Sequence, residues 1–136
     1  MNFEKDKNIV FFDGYCNLCN TTVDLLIKID SNELLLFAPF SGKTSSDLGI
    51  LNEFPSSEMS IIYFRNKNDV FNYSDAVIEL SSDLFVFGKA LLVLKLIPRF
   101  IRDAIYLNIA RNRYRFFGKK DTCRIPTEQE LNRFLD

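Results

Sequence analysis

Apolar residues occur in short blocks along the chain, and the first two blocks have the length of strands. The first covers Ile9 to Phe12 and ends at an Asp13-Gly14 turn signal. The second covers Leu34 to Ala38 and ends at Pro39. Continuous apolar runs bounded by turn residues are typical of strands buried on both faces. A helical pattern from Asn17 to about Asp30 lies between them, which predicts a β-α-β unit with parallel strands.

The middle of the chain contains further strand and helix signals, in a different order from the first unit. The predicted elements are a short helix (Ser46–Glu53), two strands (Met59–Arg65 and Val70–Tyr73) and a helix (Asp75–Leu84). A polar turn at residues 66–69 separates the two strands and makes them an antiparallel pair. Ser74 is the predicted N-cap of the helix that follows. The order β-α-β, then β-β-α, predicts an α/β protein with a thioredoxin-like fold.

Residues 84–97 form the most apolar run of the chain. The run is too short to cross a membrane and contains Lys89 and Lys95, so no membrane span is expected. It predicts a helix that is buried or faces a partner, and Pro98 ends it.

A basic helix is predicted from Arg99 to about Phe117, where Gly118 ends it. Thr127 and Glu130 form a capping box for a final short helix. These elements exceed a minimal thioredoxin-like domain. We therefore expect the whole chain, residues 1–136, to be one such domain with a basic helical extension over about 85–136.

Charge is distributed unevenly, although the formal net charge of the 136 residues is only −1. Residues 89–120 carry nine Lys or Arg and a single acid, Asp103. Such a segment can bind nucleic acid or anionic lipid. Arg111, Arg113 and Arg115 do not share one helix face, however, so we favour a solvated or acid-paired surface and expect no nucleic acid partner.

The N-terminal residues Met1 to Lys7 lack the apolar stretch of a signal peptide, which predicts a cytoplasmic protein. Thiols stay reduced in that compartment, and a pair of closely spaced cysteines there is typical of catalytic or metal sites. The odd number of cysteines, three, also argues against a disulfide framework.

Cys16 and Cys19 are three residues apart and fall on the first turn of the helix that follows the first strand. At this spacing the two sulfurs can meet and form a disulfide. The unpaired N–H groups and the positive dipole end of a first turn favour a thiolate. Cys16 is the more N-terminal and is expected to be the more exposed, so it is the predicted nucleophile, and Cys19 the resolving thiol.

Other readings of the cysteines remain open. They can be buried apolar residues, or they can bind zinc together with Cys123. A zinc site would lack histidine and would need Asp13 or water as its fourth ligand, because the chain has no His. A non-catalytic metal-binding or partner-binding module is therefore the alternative function. Cys123 is read as a buried thiol or as a third redox or ligand group.

Asp13 has three candidate roles. Its carboxylate could accept the proton of Cys19, raise the pKa of the thiols by repulsion, or close the turn between strand and helix. An aspartate after an apolar strand also begins the phosphatases of the haloacid dehalogenase superfamily. Their second aspartate would fall at Tyr15, which argues against that class.

The stretch Asp13-Gly14-Tyr15-Cys16-Asn17-Leu18-Cys19 resembles the DGxCxxC pattern of the DCC family of thiol-disulfide oxidoreductases. Later family motifs follow in matching order: Ser74-Asp75-Ala76, Pro98 with Arg102-Asp103, Ala110 to Tyr114, and Gly118 with Cys123 to Pro126. The resemblance implies a thioredoxin-like fold and dithiol–disulfide exchange at Cys16 and Cys19, without a cofactor in the site. The expected partner is a disulfide-bearing protein or a small thiol.

One feature departs from thioredoxin-like proteins, which usually carry a cis proline just before the third strand. Here Met59 follows Ser56-Ser57-Glu58. This predicts an altered substrate-binding surface beside the cysteines.

Overall fold

The structure is a computed structural model that describes residues 7–31, 33–49, 61–65, 69–84, 86–119 and 126–135. Within these ranges the strands are β1 (Asn8–Phe12), β2 (Leu35–Pro39), β3 (Ile61–Arg65) and β4 (Asp69–Phe71). The α-helices of the same ranges are α1 (Asn17–Ile29), α2 (Lys43–Leu48), α3 (Tyr73–Leu84), α4 (Arg99–Arg111) and α5 (Arg113–Phe117). The described part of the chain also contains 3-10 helices at Val86–Leu96 and Leu131–Arg133.

β1 lies inside a four-stranded sheet formed by the described residues, in the order β2-β1-β3-β4. It pairs in parallel with β2, so that Val10 lies opposite Phe37. β3 is antiparallel to β1, and β4 is antiparallel to β3. Since α1 connects β1 to β2 and α3 follows β4, the predicted thioredoxin-like α/β fold is confirmed.

Both faces of β1 are covered, as its continuous apolar run predicted. Val10 and Phe12 belong to a buried cluster that also contains Cys16 and Cys19. The neighbouring residues of β1 point the other way, into a second buried cluster. The two cysteines are therefore part of the core on one side of the sheet.

The link after β2 contains a helix, but not at the predicted position. The structure has α2 at Lys43–Leu48 instead of Ser46–Glu53. The helix ends there because Gly49 takes a left-handed conformation with φ of 68° and its N–H caps the last turn. The predicted beginning of the third strand, with the segment in which a cis proline was sought, lies in residues 50–60, outside the described residues.

The prediction that Ser74 caps α3 is wrong. α3 begins at Tyr73, so Ser74 lies in its first turn. Its hydroxyl donates to Oδ1 of Asp103 (2.6 Å) and accepts from Nη1 of Arg102 (3.0 Å). The side chain therefore serves a contact between α3 and α4 and is not directed at the backbone of its own helix.

The apolar run after α3 is helical, but the part of it that the structure describes is largely exposed. Val93 is 64% and Leu96 84% exposed, so the prediction of a buried helix is wrong. That it faces a partner stays a prediction. In the described part of the chain, no helix is long and apolar enough to cross a membrane.

The basic region beyond Pro98 is two helices, and the prediction of one continuous helix to Phe117 is wrong. α4 ends at Arg111, and the side-chain amide of its C-cap residue, Asn112, donates to the Asn108 carbonyl (2.7 Å). That carbonyl is the acceptor that the Asn112 backbone N–H would use in a continuous helix, so the side chain competes with the helical ladder. α5 then begins at Arg113, with Asn112 as its N-cap.

The C-terminal tail returns to β2. The Phe134 ring packs against the rings of Phe37 and Phe12, with centroids 5.6 and 6.1 Å apart. Arg133 donates from Nη2 to Oδ2 of Asp30 (2.5 Å), a buried pair at the end of α1. The Thr127 N–H donates to the Glu130 carboxylate (3.3 Å), which is one of the two contacts of the predicted capping box. The prediction that Thr127 caps the final helix is wrong, because the 3-10 helix begins at Leu131, with Glu130 as its N-cap and no capping bond from a side chain.

Candidate dithiol site

The two cysteines lie where β1 leads into α1. A turn closes over Asp13 to Cys16, with the Cys16 N–H donating to the Asp13 carbonyl (3.2 Å). Cys16 is the N-cap of α1 in an extended conformation, and Cys19 lies in the first turn. The prediction that both cysteines fall inside the first turn is therefore corrected by one position. The Cys16 sulfur occupies the place of a capping side chain and accepts the Cys19 backbone N–H (3.5 Å).

Both thiols are buried, with 0% of Cys16 and 1% of Cys19 exposed. The expectation that Cys16 is the more exposed is therefore wrong. The expectation rested on sequence position alone, whereas residues far along the chain lie against this turn. The backbone of Cys16 forms an isolated antiparallel bridge with Lys119.

The surroundings drive the pKa values of the two thiols apart. The pKa of Cys16 is lowered to about 6, because the Cys19 side chain and the N–H groups of Cys19 and Leu18 donate to its sulfur and the Arg113 charge attracts the thiolate. Burial opposes this effect. The pKa of Cys19 is raised far above its ordinary value by its hydrogen bond to Cys16, by burial, and by the charges of Cys16 and Asp13. One thiolate is therefore favoured, on Cys16, with Cys19 as its protonated donor.

Asp13 closes the turn and anchors the C-terminal extension at the same time. Its Oδ1 accepts the Tyr15 N–H (3.0 Å), the turn contact that was one of its three candidate roles. Its Oδ2 accepts from Arg113, through Nε (3.3 Å) and Nη2 (3.0 Å), and from the Tyr114 hydroxyl. Burial and the bond to Asp13 raise the pKa of Tyr114 to about 12, so the phenol remains a donor.

The residues at the end of α5 and just after it also contact the start of α1. The Asn17 side-chain amide donates to the Phe117 carbonyl (2.9 Å), and its backbone N–H donates to the Gly118 carbonyl (3.3 Å). Gly118 has φ of +88°, and a Cβ there would lie 2.7 Å from the Asn17 amide nitrogen. Only glycine permits both this backbone conformation and this close approach.

A second group of ionic contacts joins α3 to α4. Arg102 and Arg99 approach Asp75, at 2.7 and 3.4 Å. Arg99 also contacts Asp103 (3.2 Å), which accepts the Ser74 hydroxyl. Except for Arg99, these residues belong to two of the later sequence motifs, Ser74-Asp75-Ala76 and Pro98 with Arg102-Asp103. The contacts between them fix the extension to the thioredoxin-like core.

Arg113 and Tyr114 belong to a sequence motif, but no role in the site was predicted for either residue. The signal was present, because both belong to a motif, but Arg113 lies 100 residues from Asp13 and sequence spacing does not reveal that contact. Cys123, the third ligand of the zinc alternative, lies outside the described residues. Among the residues that are described, no group of three or more Cys, Asp or Glu side chains is arranged to hold a metal ion.

A dithiol at the N-terminus of the first helix of this fold, with one thiol poised as a thiolate, defines a thioredoxin-like protein of the CxxC class. The chain belongs to the DCC1-like thiol-disulfide oxidoreductase family, whose sequence profile it matches over residues 10–119. The match extends from β1 to the end of the segment bonded to Asn17. It therefore includes both partners of the Asp13–Arg113 contact, and it confirms the resemblance found in the motifs.

Two relatives support this assignment. The Bacillus subtilis (strain 168) protein YuxK, uncharacterized by its name, is 32% identical over 129 residues, which cover 95% of this chain and 94% of YuxK. The Arabidopsis thaliana DCC family protein At1g52590, chloroplastic by its name, is 30% identical over 125 residues, which cover 90% of this chain and 73% of that protein. No solved structure matches the chain. Membership supports a redox role at the level of the family, while the predicted cytoplasmic location stays a prediction.

Proposed function

We propose that the protein is a thiol-disulfide oxidoreductase in which Cys16 is the nucleophile and Cys19 the resolving thiol. The observation that carries this proposal is the asymmetry of the pair. The pKa of Cys16 lies near 6 and that of Cys19 far above its ordinary value. A thiolate is the attacking form, and a protonated Cys19 can resolve the mixed disulfide only after it loses its proton.

The exchange proceeds in two steps. The Cys16 thiolate attacks one sulfur of a substrate disulfide, so that a mixed disulfide forms and the other sulfur leaves as a thiolate. Cys19 then loses its proton and attacks the Cys16 sulfur, which releases the second substrate thiolate and forms the Cys16–Cys19 disulfide. Two electrons pass from the protein to the substrate, and the reverse sequence oxidises a substrate dithiol.

Asp13 is the proposed proton acceptor for the second step. Once Cys16 is in a mixed disulfide, it has no negative charge, and the two Cys16-dependent causes of the raised Cys19 pKa disappear. Burial and the Asp13 charge still raise the pKa of Cys19, and the Arg113 charge still lowers it. Asp13 is then the carboxylate whose charge affects the Cys19 thiol. Arg113 and Tyr114 hold this carboxylate in place. Its turn contact with Tyr15 is compatible with this role.

Trapping of mixed disulfides tests the assignment. Cys19→Ser should accumulate a mixed disulfide with a disulfide-bearing peptide or protein through Cys16, because attack is retained and resolution is lost. Cys16→Ser should accumulate none. The serine variants are matched in size, and Cys123→Ser serves as a background that removes the third thiol. Equal trapping by both variants would reject the roles, and a stoichiometric zinc content of the purified protein would favour the metal-binding alternative.

A further inference from the structure

The segment at the end of α5 lies directly against the start of α1. The Asn17 side-chain amide donates to the Phe117 carbonyl (2.9 Å), and the Asn17 backbone N–H donates to the Gly118 carbonyl (3.3 Å). Lys119 then forms an antiparallel backbone bridge with Cys16 itself. Phe117, Gly118 and Lys119 are called the strap below. Each residue of the strap is attached to the proposed nucleophile or to the residue after it.

The proposed nucleophile is closed off from solvent, since Cys16 is 0% and Cys19 1% exposed. Exchange nevertheless requires a substrate sulfur to meet the Cys16 sulfur. On its inner side the cysteine pair belongs to the buried cluster that contains Val10 and Phe12 of β1, and entry from there would disrupt the sheet. The side on which the strap lies against the turn is a route that leaves the core intact.

The strap is held by polar contacts and by little apolar packing. Phe117 is 48% exposed, and Phe116, the residue before it, is 66% exposed. The hydrogen bond from Asn17 to Phe117 is itself exposed to solvent. Segments with few buried apolar contacts and exposed hydrogen bonds open locally at a small fraction of the global stability. The buried residue of α5, Arg113, is bound to Asp13 outside the strap, so the strap can open while that pair stays in place.

We infer that the strap is a gate over Cys16 and that the Asn17 side chain is its latch. The inference rests on the proposed function, because it concerns how a substrate disulfide reaches the nucleophile. In the closed state the strap excludes disulfides from the sulfur. Opening breaks the two hydrogen bonds to Asn17 and the bridge to Cys16, and the sulfur becomes accessible without unfolding of the sheet.

Alkylation of Cys16 by iodoacetamide measures the gate, in a background of Cys19→Ser and Cys123→Ser that leaves one thiol of the three. The midpoint of the pH profile is the pKa of Cys16. The plateau at high pH is the rate of the thiolate multiplied by the open fraction, as long as the strap closes faster than the reagent reacts.

The reference for the plateau is the same protein unfolded in urea. A fall of the pKa from 9.0 to about 6 makes a thiolate weaker as a nucleophile by about 30-fold at most. We expect the plateau of the folded protein to lie further below the reference than that, and the excess measures how far the gate excludes the reagent.

Two changes at the latch should raise the plateau. Asn17→Ala removes the donor to Phe117 and should raise it about two- to tenfold, the effect of one net hydrogen bond lost from the closed state. Gly118→Ala should raise it too, because the new Cβ would lie 2.7 Å from the Asn17 amide nitrogen. The midpoint should stay, since the groups that lower the pKa of Cys16 lie outside the strap. Asn132→Ala, at an exposed position of the C-terminal 3-10 helix, is the matched control and should change neither quantity.

Urea separates opening of the strap from unfolding of the protein. Local opening exposes little surface, so the plateau should hardly change at low urea, whereas access through global unfolding rises with urea along the unfolding curve. That rise would overturn the inference, and so would a plateau without the expected deficit. Equal plateaus in Asn17→Ala and Asn132→Ala would also overturn it. A midpoint that moves in Asn17→Ala would do the same, because the change would then act on the thiol and not on access.

Failure of the proposed function gives a different result. The same open state should serve a peptide disulfide, so a mixed disulfide should form faster in Asn17→Ala by the same factor as alkylation. A mixed disulfide that forms at an unchanged rate would mean that the substrate enters elsewhere, and the inference would be wrong. If alkylation accelerates and no mixed disulfide forms in any variant, the exchange chemistry fails while the gate over Cys16 is supported.

Discussion

The hydrogen bond from the Cys19 thiol to Cys16 gives the sharpest test of the site. It is the largest of the effects that lower the pKa of Cys16 from an ordinary 9.0 to about 6. Three pH units correspond to about 4 kcal/mol in favour of the thiolate. A hydrogen bond to a charged group contributes roughly 1.5–3 kcal/mol, so its removal should raise the pKa by about one to two units.

The perturbation is Cys19→Ala, and its matched control is Cys19→Ser. Alanine removes the donor and keeps the backbone N–H groups and Arg113, which also lower the pKa of Cys16. Serine keeps an O–H donor at the same place. We therefore expect a pKa of Cys16 near 6 in Cys19→Ser and about 7–8 in Cys19→Ala, by the same estimate. Both variants should carry Cys123→Ser, so that Cys16 is the one remaining thiol of the three.

The assay is the pH dependence of alkylation by iodoacetamide, with the ultraviolet absorbance of the thiolate as a second readout. The midpoint of the profile gives the pKa, and the buried position of Cys16 affects only the absolute rate. At pH 7 a thiol with a pKa of about 6 is roughly 90% ionised, whereas one at 9 is about 1% ionised. Identical midpoints in the alanine and serine variants, or midpoints near 9 in both, would refute the role of Cys19 as the donor.

The same shift predicts how stability depends on pH. The pKa of Cys16 in the folded protein lies below its unfolded value, so its contribution to stability is fully present above pH 9 and is lost as pH falls through about 6. The full contribution corresponds to about 4 kcal/mol. Comparing the urea unfolding of Cys19→Ser with that of the variant lacking both thiols should isolate this term. A flat difference between pH 6 and 9 would contradict it.

Two contacts of the C-terminal half give further predictions. Gly118→Ala should lower the free energy of unfolding by about 1–3 kcal/mol, because φ of +88° and ψ of 163° form a conformation essentially restricted to glycine. The new Cβ would also displace the Asn17 amide. Urea denaturation measures the loss, and an unchanged midpoint would speak against the close approach. Arg133→Met should lower the free energy of unfolding by about 3–5 kcal/mol, since it leaves the buried Asp30 carboxylate without its cation. A loss under about 1 kcal/mol in the same assay would show that backbone N–H donors are enough to satisfy the Asp30 carboxylate.

The thioredoxin-like core was predictable because its signals are local. Each strand of the β-α-β unit is a short apolar run that ends at a turn residue, and α1 has its own helical pattern. Asp13-Gly14 also marks the corner where the cysteines lie, so their place at the start of α1 followed to within one residue. Such features depend on a few neighbouring residues, and the surrounding fold does not override them here.

The burial of Cys16 and the partners of Asp13 could not be predicted from local patterns. Both depend on the chain near Arg113 and Lys119, which returns to the first turn of α1 from about 100 residues away. The same holds for the break at Asn112. Its cause is a side chain that competes for a carbonyl, and the helical periodicity on either side gives no warning of it.

The Asp13–Arg113 pair resolves a conflict within the motif itself. A carboxylate is well suited to close the turn before Cys16, since it accepts the Tyr15 N–H. Its charge nevertheless disfavours ionisation of a nearby thiol, as its effect on the pKa of Cys19 illustrates. Arg113 is bound to that carboxylate and acts on both thiols with the opposite sign. The turn can therefore keep its aspartate while Cys16 keeps a thiolate, and the extension that carries Arg113 contributes to this by folding against the site.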